Sequence, residues 1–192
     1  VQQLVLEPFG GDVFGLPVRE TTLFNAYQMV GTLLGMGLSG AWLSRKIGKK
    51  ATTAIGSVVA GVAFALLAVA SSGQYGVLVR PAILLLGLGM GAFTVGGLSL
   101  MMDLTVKAQV GLFMGAWTLF QALANGLASV GGGMMHAVGL ALFASEAGAY
   151  ALVFGVEAVG SLAILALLAQ VDVGTFRSEV GELSFQALVD TG

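Results

Sequence analysis

Charged residues divide this chain into long apolar stretches. Glu20 and Arg45 enclose one charge-free interval, Lys50 and Arg80 a second, and Arg80 and Asp103 a third. A helix needs about 20 apolar residues to cross a hydrocarbon layer of about 30 Å, and each interval suffices for one crossing. The interval from Lys107 to Glu146 is too long for one helix and too short for two with a turn. Gly131, Gly132 and Gly133 divide it, because consecutive glycines are poor helix interior. The pattern therefore predicts a fourth span over residues 108–130, then a short apolar piece over 134–145 that does not cross. A fifth span is expected over 149–170, with a single acid, Glu157, inside it.

The ends of the chain read differently. Residues 1–9 resemble the end of a truncated transmembrane helix, stopped by Pro8 and by Gly10 and Gly11, and residues 10–20 a non-cytoplasmic loop containing Pro17. Residues 21–170 form the expected five-span membrane bundle. Residues 171–192 are polar and acidic, with Asp172, Glu179, Glu182 and Asp190, as suits a cytoplasmic or stromal C-terminal tail. Lys and Arg accumulate in cytoplasmic loops. Arg45, Lys46, Lys49, Lys50, Lys107 and Arg177 fall on one side, against Arg19 and Arg80 on the other, so the basic connection and the tail are assigned to the cytoplasm. The chain starts at Val1 in the middle of an apolar pattern, and reads as part of a longer polypeptide.

Composition strengthens the membrane reading. Of 192 residues, 57% are hydrophobic and 9% charged, where a soluble domain carries roughly 25% charged residues; mean hydropathy is +0.95. The fold class is an all-α integral membrane protein. With no cysteine there is no disulfide framework, thiolate metal site or cysteine nucleophile. A net charge of −2 leaves no nucleic-acid footprint. The glycine-rich stretch from Gly87 to Gly97 lacks the Gly-Lys-Ser/Thr of a phosphate loop. One histidine without cysteine argues against a transition-metal site, and no catalytic constellation is present. An enzyme is not expected.

Small residues mark where helices should approach each other. Gly87 and Gly91 in the third span, Gly31, Gly35 and Ser39 in the first, and Gly111, Gly115, Ala122 and Gly126 in the fourth have spacings that permit close packing. Polar residues inside spans are costly and more informative. Asn25, Gln28, Thr32 and Ser39 share one helical face, as do Thr118, Gln121, Asn125 and Ser129. The two stripes either line a shared cavity or hydrogen-bond between helices without a ligand. Glu157 must be paired, protonated or hydrated, which leaves proton coupling, cation or magnesium ligation and interhelical bonding open. Asp103 and Lys107, at i and i+4, read as an interfacial pair, and Trp42 and Tyr27 as interfacial anchors. Trp117 reads as packing and His136 as structural.

Two resemblances sharpen this. The segment from Ala41 to Lys50 resembles the loop motif of major facilitator transporters, with Leu43, Lys46, Gly48, Lys49 and Lys50 matching a tight turn flanked by cations. Ala41 replaces the leading glycine and Arg45 stands where that motif has an acid. The resemblance implies the C-terminal six-helix half of a major facilitator-type bundle, its first helix truncated. The acid latches helices in that superfamily, so its replacement implies an altered latch.

A closer likeness is to the PucC/LhaA family, the bacteriochlorophyll-delivery branch of that superfamily. It is carried by Leu6, Glu7, Pro8, Phe9, Gly10 and Gly11, by the run from Gly111 through Gly115, Trp117 and Gln121 to Gly126, and by Val153 to Glu157. It implies a factor of the thylakoid or photosynthetic inner membrane. Such a factor binds chlorophyll or bacteriochlorophyll, or delivers it to light-harvesting or photosystem apoproteins. On that reading Asn25, Gln28, Gln121, Asn125 and Glu157 face the pigment. Expected partners are the lipid bilayer, light-harvesting or photosystem membrane proteins, and a missing N-terminal half; nucleic acid is not among them. Two alternatives stand beside it: a proton-coupled small-solute transporter with Glu157 as the coupling acid, and a non-transporting structural partner of a photosynthetic complex.

Overall fold

A computed structural model describes residues 2–103 and 110–170. Lys107, Arg177 and the expected tail over 171–192 lie outside the described residues. The described residues are helical almost throughout: α1 (Gln2–Phe14), α2 (Val18–Leu38), a π-helical turn (Ser39–Leu43), α3 (Ser44–Ile47), α4 (Lys49–Ser72), α5 (Gly76–Asp103), α6 (Val110–Phe143) and α7 (Glu146–Gln170). Four of them, α4, α5, α6 and α7, are long and apolar enough to cross a membrane. The expected first span, α2, falls outside that group; its first half carries Arg19, Glu20, Thr21, Thr22, Asn25 and Gln28.

In space the helices run in the order α2, α5, α4, α7, α6, and α1 bridges α2 and α7 on one side. Lipid tails are as apolar as leucine, so burial alone does not drive such helices together; close packing and polar contacts do. The α2–α5 seam shows how close. A Cβ added at Gly31 would lie 3.1 Å from Gly87 Cα, and one added at Gly91 would lie 2.7 Å from Met36 N. The expected small-residue faces of the first and third spans are thus packed on each other. On its other side α5 meets α4, where a Cβ at Gly89 would lie 2.6 Å from Ala60 N. Gly56 opposes the Phe93 backbone in the same seam.

Three expectations need correction. Residues 10–14 are not loop: α1 continues through Pro8, Gly10 and Gly11 to Phe14, and Gly15, at φ +64°, ends it. Leu6 and Phe9 are fully buried, and Phe9 packs edge-on against Phe154 at 4.9 Å and Phe14 at 5.4 Å. Gly10 serves proximity rather than a turn, since a Cβ there would lie 2.6 Å from the Phe24 ring. Second, Gly131, Gly132 and Gly133 do not split the long interval, and residues 134–143 continue α6. A helical glycine costs about 1 kcal/mol in water. Opening backbone hydrogen bonds in hydrocarbon costs several kcal/mol per group, so the helix survives. At 34 residues it is about 51 Å long. Third, Gly111, Gly115 and Gly126 pack against nothing within 4 Å among the described residues; α6 buries only Gly139, against Ala149 at the start of α7.

The seam predicts an asymmetry between glycines. Gly91→Val should destabilise the full-length protein by about 1–3 kcal/mol through overpacking, whereas Gly115→Ala should not destabilise it. Denaturant titration in mixed micelles measures both.

Candidate functional site

The basic segment is almost entirely helical. Arg45 and Lys46 lie in α3, the chain reverses at one residue, Gly48, and Lys49 and Lys50 open α4. Gly48 holds φ +86°, a conformation that disfavours side chains, and its carbonyl accepts both the Thr52 amide at 3.1 Å and the Thr52 hydroxyl at 2.8 Å. The reversal sends adjacent lysines to different helices. Lys49 Nζ pairs with Asp103 Oδ1 at the end of α5, 2.8 Å away, and Lys50 Nζ donates to the Ala169 carbonyl near the end of α7 at 3.2 Å. Asp103 was expected to pair with Lys107, which is outside the described residues; its described partner is Lys49. Arg45 is exposed, and the Lys46 ammonium sits 4.4 Å above the exposed Trp42 ring.

The opposite end has its own polar ties. Arg80 pairs with Glu20 at 3.2 Å, joining α5 to α2. Ser71 Oγ donates to the Ala147 carbonyl at 2.7 Å. Tyr150 donates its phenol proton to Asp12 at 2.8 Å, and the His136 ring lies 3.0 Å from Glu146 and 4.5 Å from the Tyr150 ring. His136 thus ties α6 to the start of α7.

Between these ends the polar stripes separate. Asn25 Nδ2 donates to Glu7 Oε1 at 2.6 Å, which ties α2 to α1. Asn25 Oδ1 is buried with no hydrogen-bond partner among the described residues, and Gln28 is buried one turn further along. Glu7 thereby joins Asn25 and Gln28 in one cluster, although the sequence placed it only in a motif. Gln121 and Asn125 are exposed on α6. Thr118 and Ser129 on the same stripe donate to the carbonyls of Met114 and Asn125 in their own helix. Glu157 is partly buried in α7 with no hydrogen-bond partner among the described residues. The structure brings Glu7, Asn25 and Gln28 together and joins neither Gln121 and Asn125 nor Glu157 to them.

A separate groove of about 470 Å³ lies between α4 and α5 on one side and α6 and α7 on the other. Thr53, Phe93, Leu100, Met101, Trp117 and Leu168 are among its lining residues. None of the polar stripe residues lines it. Trp117, expected in packing, forms part of its wall.

A helical bundle with four candidate spans, tied at both ends by ion pairs and holding a carboxylate–amide cluster inside, defines an integral membrane protein of the all-α class. The PUCC protein family model matches residues 1–176, and the chain belongs to that family. It is 35% identical over 136 residues to Protein PucC of Rhodovulum sulfidophilum, covering 71% of this chain and 30% of that protein. It is 36% identical over 167 residues to the bacteriochlorophyll synthase 44.5 kDa chain of Rhodobacter capsulatus, covering 83% of this chain and 38% of that one. Protein PucC of Cereibacter sphaeroides is 34% identical over 139 residues, covering 69% and 29%. The chain thus spans about a third of the length of these relatives. No solved structure matches.

Lys49 and Asp103 have side chains 41% and 18% exposed, so water screens much of their attraction. A double-mutant cycle with Lys49→Gln and Asp103→Asn should give a coupling of about 0.5–1 kcal/mol, read by the same unfolding titration.

Proposed function

We propose that this chain is part of a photosynthetic-membrane assembly factor that binds (bacterio)chlorophyll or delivers it to light-harvesting or photosystem apoproteins. Membership of the PUCC protein family supports the reading, as does similarity to a protein named as a chain of bacteriochlorophyll synthase. The observation that carries it is the cluster of Glu7, Asn25 and Gln28, in which Asn25 Oδ1 is a buried acceptor without a partner among the described residues. An amide oxygen suits either the magnesium of a tetrapyrrole or a hydrogen-bond donor on its rim. Glu7 orients that amide by accepting from its nitrogen, so the oxygen is the end left to face a ligand. Pigment is cargo here, and the role is non-enzymatic. A major facilitator-type bundle in a photosynthetic membrane, with its C-terminus on the cytoplasmic or stromal side, belongs to the same proposal.

A second reading rests on Glu157. Partly buried within α7 and without a described hydrogen-bond partner, it suits a proton-coupling acid in a small-solute transporter. The two readings separate experimentally. Full-length protein isolated gently from its native membrane should carry a chlorin absorption band. Asn25→Leu and Glu7→Gln should each reduce the bound pigment roughly tenfold, as expected for loss of a buried polar contact, while Glu157→Gln should leave it unchanged. A colourless wild-type protein that shows pH-dependent solute uptake in vesicles, abolished by Glu157→Gln, would reverse the order.

A further inference from the structure

Only part of the cluster around Asn25 stands on α2. Its carboxylate, Glu7, comes from α1, a helix of 13 residues with Pro8 inside it. An interior proline removes one backbone hydrogen bond and crowds the carbonyl four residues back. A helix this short is also marginal by itself. The place of Glu7 therefore depends on what holds α1 from outside.

Two faces of α1 are held by two different helices. Residues three apart share a helical face, and Glu7 and Gly10 both meet α2. Glu7 Oε1 accepts from Asn25 Nδ2 at 2.6 Å, and Gly10 lies against Thr21 and Phe24. Phe9 and Asp12 both meet α7. The Phe9 ring lies 5.4 Å from that of Tyr150 and 4.9 Å from that of Phe154, and Asp12 Oδ2 accepts the Tyr150 phenol proton at 2.8 Å. Glu7 and Asp12 are about 140° apart around the helix, so their two bonds together fix its roll. A rotation that broke the bond to Tyr150 would also carry Glu7 away from Asn25.

Of the two partners in the α1–α7 bond, Tyr150 is the fixed one. It is buried, with the His136 ring of α6 at 4.5 Å and the Phe154 ring of its own helix at 6.3 Å. A buried phenol needs a partner for its hydroxyl, and Asp12, exposed on α1, supplies it. We infer that Tyr150 is a positioning residue for the Glu7–Asn25 pair: through Asp12 it sets the roll of α1, and with it the carboxylate that turns the Asn25 amide. For its ligand this role rests on the pigment reading of the cluster; the geometry is measurable without pigment.

Tyr150→Phe keeps the ring contacts and loses the hydroxyl. In full-length protein isolated gently from its native membrane, it should lower bound pigment about fivefold, as expected for one hydrogen bond. Asp12→Asn retains an acceptor and should keep nearly all the pigment. Asp12→Ala should match Tyr150→Phe, and replaces it if that variant fails to fold. Residues that act through one another are not additive, so Tyr150→Phe in a Glu7→Gln background should cost nothing further. Additive losses would mean that Tyr150 serves stability alone and would overturn the proposal. The second readout is a distance. Spin labels at Gly11→Cys on α1, where an added Cβ meets nothing within 4 Å, and at the exposed Leu34→Cys on α2 should give a narrow distribution that Tyr150→Phe broadens. The labels go into a full-length background without other cysteines. An unchanged distribution would likewise overturn the proposal. A colourless wild-type protein would defeat the pigment reading, and the distances would then decide the positioning role by themselves.

Discussion

Inside hydrocarbon a backbone amide that leaves its helical partner finds no water to replace it. Most of this architecture follows from that constraint. It carries α6, one of the helices long and apolar enough to cross a membrane, through three consecutive glycines. Residues that would end a helix in water instead become places where another helix can come close or where the surface is smooth. The same constraint makes the few real breaks informative. Gly15 and Gly48 adopt positive φ near opposite ends of the bundle, where the chain reverses.

Continuous helices leave packing as the means of holding the bundle together. The centre is α5, whose glycines point two ways: Gly87 and Gly91 to α2, and Gly89 and Gly96 to α4. Polar ties then clamp the ends. At one end a single-residue reversal lets Lys49 reach α5 and Lys50 reach α7. At the other, Asp12, Tyr150, Glu146 and His136 link α1, α7 and α6. The basic segment from Ala41 to Lys50 carries no acid of its own, and one reaches it from the end of α5, at Asp103.

The interior holds two kinds of site with different chemistry. The cluster of Glu7, Asn25 and Gln28 lies where α1 crosses α2 and offers oriented polar atoms. The groove beside Trp117 is lined by apolar and aromatic side chains, with Thr53 and the indole N–H of Trp117 as its polar groups. A tetrapyrrole needs the first kind of surface for its metal and ring edges.

By itself the sequence determined the membrane class, four of the spans and the small-residue faces that meet at the α2–α5 seam, because hydropathy and helical spacing act within a single element. The resemblance to a transporter loop motif also marked Gly48 as a tight turn between cations, where its φ is +86°. Boundaries at Pro8, Gly10 and Gly131–Gly133 were misread because their effect depends on the solvent around the helix and on neighbours such as Phe24. Asn25 and Gln28 were legible as interior polar residues, yet the carboxylate of Glu7 beside Asn25 was not. Nor was the pairing of Lys49 with Asp103, 54 residues away. No periodicity encodes which helix faces which. Only tertiary packing decided that the two polar stripes would part, and that aromatic residues of α6 would wall a groove.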